Sequence, residues 1–193
     1  MLDEVVQLQM INEQMQAPAQ FDLPEGYAYR LFDRKTGRED WCQVTVKTDL
    51  FNNIDEAYKT FDTEFAPYLD EMEKRSIFLI DTKKDVIIGT ITSWYNKIND
   101  RDFGMMHWVG IDEEYQGRGL GKSMINYGVM HLTTMHDIGM LGTQGFRLAA
   151  IKRYLTCGFV PWIKKQEDIG EWDRVAEAID HPSLKARVVD IDK

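Results

Sequence analysis

The sequence predicts a mixed α/β fold, built as one compact domain with extensions. Three patterns lead to this fold class: short alternating β-prone segments, two strongly apolar runs around a polar turn, and a glycine-rich loop between a strand and a helix. The 193 residues, 44% of them hydrophobic and 28% charged, suit a folded chain with one core. The net charge of −9 argues against nucleic-acid and anionic-lipid partners, which attract basic proteins.

In the first part of the chain, helices and strands are predicted to alternate. Residues 1–24 are expected to be an N-terminal arm or edge helix, which Pro18 would end. A strand over 27–32 and an extended piece over 43–46 follow from β-prone residues. Two short helices fit residues 53–75, because apolar residues recur there at helical spacing and Asn53 is placed to cap the first.

The second part carries the strongest patterns. The elements expected there are a β-hairpin of 76–81 and 86–94, a polar loop over 96–102, a strand over 105–111 with a bulge at Gly110, a helix from 120 to about 136, a strand over 140–143, a helix over 147–157 and an extended piece over 159–162. Gly158 is placed to end the helix before it. Residues 166–193 are expected to hold a short helix and a tail.

Three glycines at alternate positions, Gly117, Gly119 and Gly121, predict a phosphate-binding loop. Glycine permits positive φ, and the helix that follows would direct several backbone N–H groups at one anion. A nucleoside-triphosphatase loop would need glycine at Gln116, and a dinucleotide fingerprint would need a small residue at Lys122 or Met124. Both of these classes are therefore excluded by spacing.

The pattern Q/R-x-x-G-x-G/A does fit, through Gln116, Gly119 and Gly121, and a second pattern follows in Arg147-x-x-Ala150-Ile151-x-x-Tyr154-x-x-x-Gly158-Phe159. Together they resemble the GNAT superfamily of N-acetyltransferases over roughly residues 77–159. The resemblance implies a mostly antiparallel sheet of six to seven strands flanked by about four helices, with a splayed central strand pair that holds CoA. It implies an acetyltransferase domain over 25–165, between the arm and a C-terminal segment from 166. Arg147 departs from the family pattern, where many members have Asn.

The resemblance also implies roles for individual residues. Tyr154 would be the general acid that protonates the departing thiolate, since a tyrosine with a reference pKa near 10 is protonated at neutral pH. His107 would be the base, with bulk water as the alternative, and strand alternation would place its side chain on one face with those of Val109 and Ile111. The residues expected to bind the cofactor are Val109, Ile111, Gln116, Gly117, Arg118, Gly119, Leu120, Gly121, Lys122, Thr143, Arg147 and Ala150.

The expected function is acetyl transfer from acetyl-CoA, as co-substrate, directly to a primary amine of a small molecule. Two alternatives stay open: a non-catalytic acyl-CoA-binding regulatory domain and a protein N-acetyltransferase. No metal site is expected, because the four histidines lack ligand spacing, and Cys42 and Cys157 are expected to be free thiols. The start of the sequence has no signal-peptide pattern and no segment is apolar enough for a bilayer span, so a cytoplasmic location is expected. The oligomeric state stays open, with a homodimer as one option.

Overall fold

A computed structural model describes residues 6–19 and 22–190. In these residues eight strands form one sheet, in the order β2-β3-β4-β5-β6-β1-β7-β8. The strands are β1 (Gln7–Asn12), β2 (Tyr27–Leu31), β3 (Ser76–Asp81), β4 (Val86–Ile98), β5 (Arg101–Ile111), β6 (Gly139–Gln144), β7 (Val160–Ile163) and β8 (Val188–Val189). The pairs β1/β6, β1/β7, β2/β3 and β3/β4 are antiparallel, whereas β7/β8 is parallel.

Six α-helices accompany the sheet in the described part of the chain. They are α1 (Gly37–Lys47), α2 (Ile54–Glu64), α3 (Leu69–Arg75), α4 (Leu120–Thr133), α5 (Leu148–Thr156) and α6 (Gln166–Ala178). The mixed α/β class and the mostly antiparallel sheet are confirmed. The expected numbers of strands and helices were too low. The described residues form eight strands rather than six to seven, and six α-helices rather than about four. The division into arm, domain and tail stays a prediction.

The helix expected within residues 1–24 is the largest correction. Residues 7–12 form strand β1, which pairs with β6 on one side and β7 on the other. Along β1 the exposed Gln7 and half-buried Gln9 alternate with the fully buried Leu8 and Met10, a period of two that suits a strand. Its pairing with strands more than 120 residues away outweighs any local helical preference.

Two further segments differ from the prediction. Residues 43–46, expected to be extended, lie inside helix α1, where the fully buried Trp41 faces the core. Strands β4 and β5 are longer than expected, because the polar loop over 96–102 narrows to Asn99 and Asp100, both with positive φ. Asparagine and aspartate tolerate this conformation better than other residues with side chains, so they form a tight turn.

Several local signals in the sequence are confirmed. The side chain of Asn53 accepts a hydrogen bond from the backbone N–H of Glu56 at 3.0 Å and caps α2. Gly158, with φ of +87°, lies just after the end of α5, where a left-handed residue commonly ends a helix. Cys42 and Cys157 are buried, and neither forms a disulfide bond within the described residues. In the described segments, no helix combines the length and apolar character that crossing a bilayer requires.

The chain divides into two compact units, each with its own packing. The first comprises Met1–Pro18, Tyr95–Met105 and Val129–Lys193, and its described part contains an apolar cluster of Ile11, Phe103, Met140 and Trp162. The second comprises Ala19–Trp94 and Met106–Gly128. Its core is rich in aromatic side chains, among them the fully buried Trp41, Phe61, Phe65 and Phe78.

Candidate active site

The residues predicted to form the site fall into two groups, one in each unit. The second unit contains the end of β5, the glycine loop and the start of α4, and with them His107, Val109, Ile111, Gln116, Gly117, Arg118, Gly119, Leu120, Gly121 and Lys122. The first unit contains the segment from β6 to α5, and with it Thr143, Arg147, Ala150 and Tyr154. The order of strand, glycine loop and helix that the sequence predicts is present.

The glycine loop has the backbone geometry that an anion site requires. Gly117 and Gly119 have φ of +74° and +79°, a region that residues with side chains rarely adopt. A Cβ added at either glycine would have no atom within 4 Å, so open space lies beside the loop. Within the described residues, no acceptor is found for the backbone N–H groups of residues 117–121. These five consecutive donors lead into the 14-residue helix α4.

Two polar side chains of the loop are engaged by the protein itself. The amide of Gln116 donates to the carbonyl oxygen of Ile111 at 3.1 Å and so ties the loop to the end of β5. The guanidinium of Arg118 donates to the carbonyl oxygen of Glu114 at 2.7 Å and to the hydroxyl of Tyr27 at 3.2 Å. The side chains of Gln116 and Arg118 thus already donate to the protein, whereas the backbone N–H groups of residues 117–121 meet no backbone acceptor among the described residues.

Strand β5 is irregular just before the loop. Trp108 has φ of +48°, an outlier for a bulky residue that costs about 1–2 kcal/mol. The prediction placed the irregularity at Gly110, and it assumed an unbroken alternation from His107 to Ile111. That alternation is interrupted at Trp108, so the sequence argument that His107, Val109 and Ile111 share one face does not hold.

Gly110 has a packing role instead. A Cβ at Gly110 would lie 2.6 Å from Oγ1 and 2.7 Å from Cβ of Thr48, the residue that follows helix α1. Such distances are shorter than any normal contact, so only glycine lets the end of α1 approach the strand here. The helix end and the irregular part of β5 are thereby packed together.

His107 and Trp108 share one carboxylate partner, Glu64 at the end of helix α2. Nε2 of His107 lies 3.2 Å from Oε2 of Glu64, and the indole Nε1–H of Trp108 donates to the same oxygen at 3.1 Å. Partial burial disfavours the ionised form of Glu64, but the two hydrogen bonds outweigh burial, so the pKa of this carboxyl lies below its usual value. The sequence prediction did not include Glu64.

Asp112 is the first residue of the acidic run Asp112-Glu113-Glu114 that follows β5, for which the sequence predicted no role. Asp112 is buried, and its Oδ2 lies 2.7 Å from Nζ of Lys47. Its Oδ1 accepts from the backbone N–H of Glu114 at 3.0 Å and caps a short 3-10 helix over Glu113–Tyr115. Asp112 therefore stabilises the turn that leads from β5 into the glycine loop.

In the first unit, Tyr154 lies on α5 with its side chain buried and its ring packed edge-on against Phe159 at 6.4 Å between centroids. Burial raises the pKa of Tyr154 to about 12, although the positive charge of Arg147 opposes this shift. No hydrogen-bond partner for its hydroxyl is found in residues 6–19 and 22–190. Tyr154 therefore carries its hydroxyl proton at physiological pH, which a proton donor requires.

The other predicted residues of this unit lie along the same segment. Thr143 is buried in β6, and Arg147 immediately precedes α5, which carries Ala150. Nε of Arg147 is buried and has no hydrogen-bond partner in the described part of the chain, and its guanidinium lies 5.6 Å from the ring centre of Phe146. No group of three or more His, Cys, Asp or Glu side chains arranged for a metal ion is found among the described residues.

Comparison with known proteins identifies the family. The family model described as "Acetyltransferase (GNAT) family" matches residues 47–159, which is more than half of the chain and includes both the glycine loop and Tyr154. The chain belongs to the acetyltransferase (GNAT) family. The resemblance drawn from the two sequence patterns is confirmed.

Curated relatives include several proteins named mycothiol acetyltransferase. The protein from Actinosynnema mirum is 28% identical over 144 residues, which cover 72% of this chain and 46% of that protein. The protein from Saccharopolyspora erythraea is 29% identical over 147 residues, with coverage of 75% and 47%. The chain thus spans about half the length of the curated relatives it matches.

Solved structures show the same fold at low sequence identity. A GCN5-related N-acetyltransferase from Sphaerobacter thermophilus superposes with a TM-score of 0.59 at 17% identity, covering 80% of this chain and 48% of that one. A glucosamine-6-phosphate N-acetyltransferase from Arabidopsis thaliana gives 0.51 at 18% identity, covering 69% and 91%. At such identities the likeness supports the fold alone.

Proposed function

We propose that this chain is an acetyl-CoA-dependent N-acetyltransferase that transfers the acetyl group directly to a primary amine of a small molecule. The observation that carries the proposal is the run of backbone N–H groups at residues 117–121, which meet no backbone acceptor among the described residues and open a 14-residue helix inside the family-matched region. Such a run binds a diphosphate through oriented donors and the positive end of the helix dipole. The open space beside Gly117 and Gly119 leaves room for that group.

Acetyl-CoA would supply an acetyl group activated as a thioester. The residues of this chain that would hold it are the backbone of the glycine loop, for the diphosphate, and the backbone of Val109 and Ile111, for the pantetheine amides. Arg147, whose Nε is buried without a partner, is a further candidate for a CoA phosphate. Gln116 would act indirectly by fixing the loop to β5, because its amide already donates to Ile111.

Two side chains would move protons. Tyr154 would donate from its hydroxyl Oη to the departing sulfur, and its raised pKa keeps that proton in place until it is needed. His107 would accept the proton that the amine loses, in keeping with its partial exposure of 27% and its carboxylate neighbour. Neither step needs a metal ion.

The acceptor class is argued from the names of the relatives and from the net charge of the chain. The curated relatives are named for a small molecule, mycothiol, and a net charge of −9 favours a cationic amine over an anionic acceptor. A protein N-terminus or lysine side chain would use the same residues with a different acceptor. A non-catalytic acyl-CoA-binding domain would keep the glycine loop but would not need a buried, protonated tyrosine.

The test is a screen for thiol release. The purified chain is incubated with acetyl-CoA and one acceptor at a time: spermidine, kanamycin, glucosamine, a lysine-containing peptide and a peptide with a free N-terminus. We expect release of CoA with one of the small amines and a mass increase of one acetyl group on that amine.

Calorimetry with CoA separates the alternatives. CoA binding without acetylation of any acceptor would favour the regulatory domain, and acetylation of the peptides alone would favour the protein N-acetyltransferase. Failure to bind CoA, or equal binding of ATP, would contradict the proposal altogether.

A further inference from the structure

Glu64 links helix α2 to strand β5 through a single carboxylate oxygen. Its Oε2 lies 3.2 Å from Nε2 of His107 and accepts the indole N–H of Trp108 at 3.1 Å. Glu64 lies 43 residues before His107, so only the tertiary fold brings the two side chains together. Glu64 is the one charged group in contact with His107 among the described residues.

The ionisation state of Glu64 determines which imidazole nitrogen carries the proton. The pKa of Glu64 is lowered because its hydrogen bonds outweigh partial burial, so it is a carboxylate at neutral pH. A carboxylate can only accept hydrogen bonds. Nε2 of His107 must therefore carry a hydrogen, and in the neutral imidazole the lone pair then lies on Nδ1.

We propose that Glu64 is a positioning residue that fixes His107 in the Nε2–H tautomer, which makes Nδ1 the atom that accepts the proton of the acceptor amine. The proposal rests on the proposed function, in which His107 is the base. The proton leaves the attacking nitrogen and forms a bond to Nδ1, while Tyr154 supplies one proton to the departing sulfur. Each residue changes by one proton, and exchange with water restores both.

The surroundings of the pair keep its geometry fixed. The ring of Trp108 packs against Phe51 at 4.6 Å and against Trp41 at 5.8 Å between centroids. This packing accounts for the persistence of a left-handed tryptophan, since strained residues endure only where their neighbours hold them. On the α2 side, Phe65 is fully buried and its ring lies 6.1 Å from the imidazole of His107. Glu64 therefore precedes a fully buried phenylalanine, and His107 precedes a half-buried tryptophan that packs against two further aromatic rings.

The carboxylate would also hold the ring after it accepts the proton. The imidazolium that forms keeps its Nε2–H bonded to Glu64, so the ring does not have to turn. The contribution expected of Glu64 is therefore the choice of tautomer and the orientation of the ring.

The first test reads the tautomer directly and does not require activity. Long-range ¹H–¹⁵N spectra of the whole chain, with the His107 signals assigned by their loss in His107→Gln, report which nitrogen of the neutral ring is protonated. We expect Nε2–H in the wild type and a mixture of both tautomers in Glu64→Leu, which has no acceptor. Nδ1–H in the wild type, or an unchanged pattern in Glu64→Leu, would overturn the proposal.

The second test uses turnover with the small amine that performs best in the screen. Glu64→Leu removes the acceptor, so an even mixture of tautomers should lower kcat by about twofold. Glu64→Gln keeps an acceptor oxygen and should restore kcat toward the wild-type value. Glu56→Leu, which removes an exposed carboxylate at the other end of α2, is the matched control and should leave kcat unchanged.

Failure of this proposal can be distinguished from failure of the proposed function. If acetyl transfer proceeds but Glu64→Leu and Glu56→Leu have the same kcat, Glu64 does not position the base, whereas the proposed function stands. If no acceptor is acetylated, the proposed function fails, and the tautomer measured by NMR then describes a structural pair only.

Discussion

Replacing Tyr154 with phenylalanine removes a single oxygen from α5 and tests the assignment of the general acid. The hydroxyl of Tyr154 has no hydrogen-bond partner in the described residues, and its ring packs edge-on against Phe159. The substitution keeps that packing and breaks no hydrogen bond within the described part of the protein. The free energy of unfolding should therefore change by less than about 1 kcal/mol, which corresponds to a Tm change within about 4 °C for a chain of this size.

The expected effect on catalysis is much larger. Loss of a proton donor in the transition state should lower kcat by about 10²-fold or more, equivalent to about 2.7 kcal/mol in the activation barrier. The affinity for acetyl-CoA should change little, because the loop at 117–121 is untouched. Since burial raises the pKa of Tyr154 to about 12, kcat of the wild type should show no loss attributable to this group below about pH 11.

Tyr29→Phe is the matched control for Tyr154→Phe. The hydroxyl of Tyr29 likewise has no hydrogen-bond partner among the described residues, and its ring stacks on Tyr127 at 4.1 Å between centroids. Tyr29 is outside the proposed machinery, so kcat should stay at the wild-type value. The assay is steady-state thiol release with the acceptor amine saturating. If kcat of Tyr154→Phe stays within threefold of the wild type while thiol release limits the rate, the role of general acid is refuted.

Four further outcomes are expected. Gly119→Val should raise the Kd for CoA at least tenfold in calorimetry while the circular dichroism spectrum is retained. Its side chain would occupy the open space beside the loop, and the φ of +79° would strain the loop backbone. Loss of folding would instead make the glycine structural. Gly110→Ala should destabilise the protein by about 1–3 kcal/mol in urea unfolding, since its Cβ would collide with Thr48; unchanged stability would show that the helix end yields easily. His107→Ala should lower turnover most at pH values below the pKa of the acceptor amine and should leave the affinity for CoA unchanged. An unchanged pH–rate profile would show that His107 is not the base. Finally, Tyr154 keeps its proton up to about pH 12 in the folded state, whereas an unfolded tyrosine releases it near pH 10. The free energy of unfolding should therefore fall as pH rises from about 10 to about 12. The fall should be less steep in Tyr154→Phe.

The sequence determined those features that depend on neighbouring residues. Gln116, Gly119 and Gly121 indicate the loop because backbone conformation at positive φ and the start of a helix are local properties. The caps at Asn53 and Gly158 were predicted for the same reason, since each acts within a few residues of its own position. The spacing of two such local patterns was sufficient to indicate the family.

Features that depend on distant partners were missed or misjudged. The residues of strand β1 were expected to form an arm or an edge helix. Their place between β6 and β7 follows from pairing with strands more than 120 residues away. The number of strands was underestimated for the same reason: β8 has only two residues and is defined by its pairing with β7. A pattern in six or seven consecutive residues does not show which distant strand those residues pair with.

The candidate base shows the limit most clearly. A histidine on an apolar strand can be found in the sequence, and its alternation with Val109 and Ile111 can be extrapolated from a regular strand. Only the tertiary structure decided that Trp108 is left-handed and that Glu64 contacts the imidazole. The strained backbone at Trp108 is stabilised by packing against aromatic side chains that are remote in the sequence. The carboxylate of Glu64, 43 residues before His107, becomes its partner only when helix α2 packs against the strand.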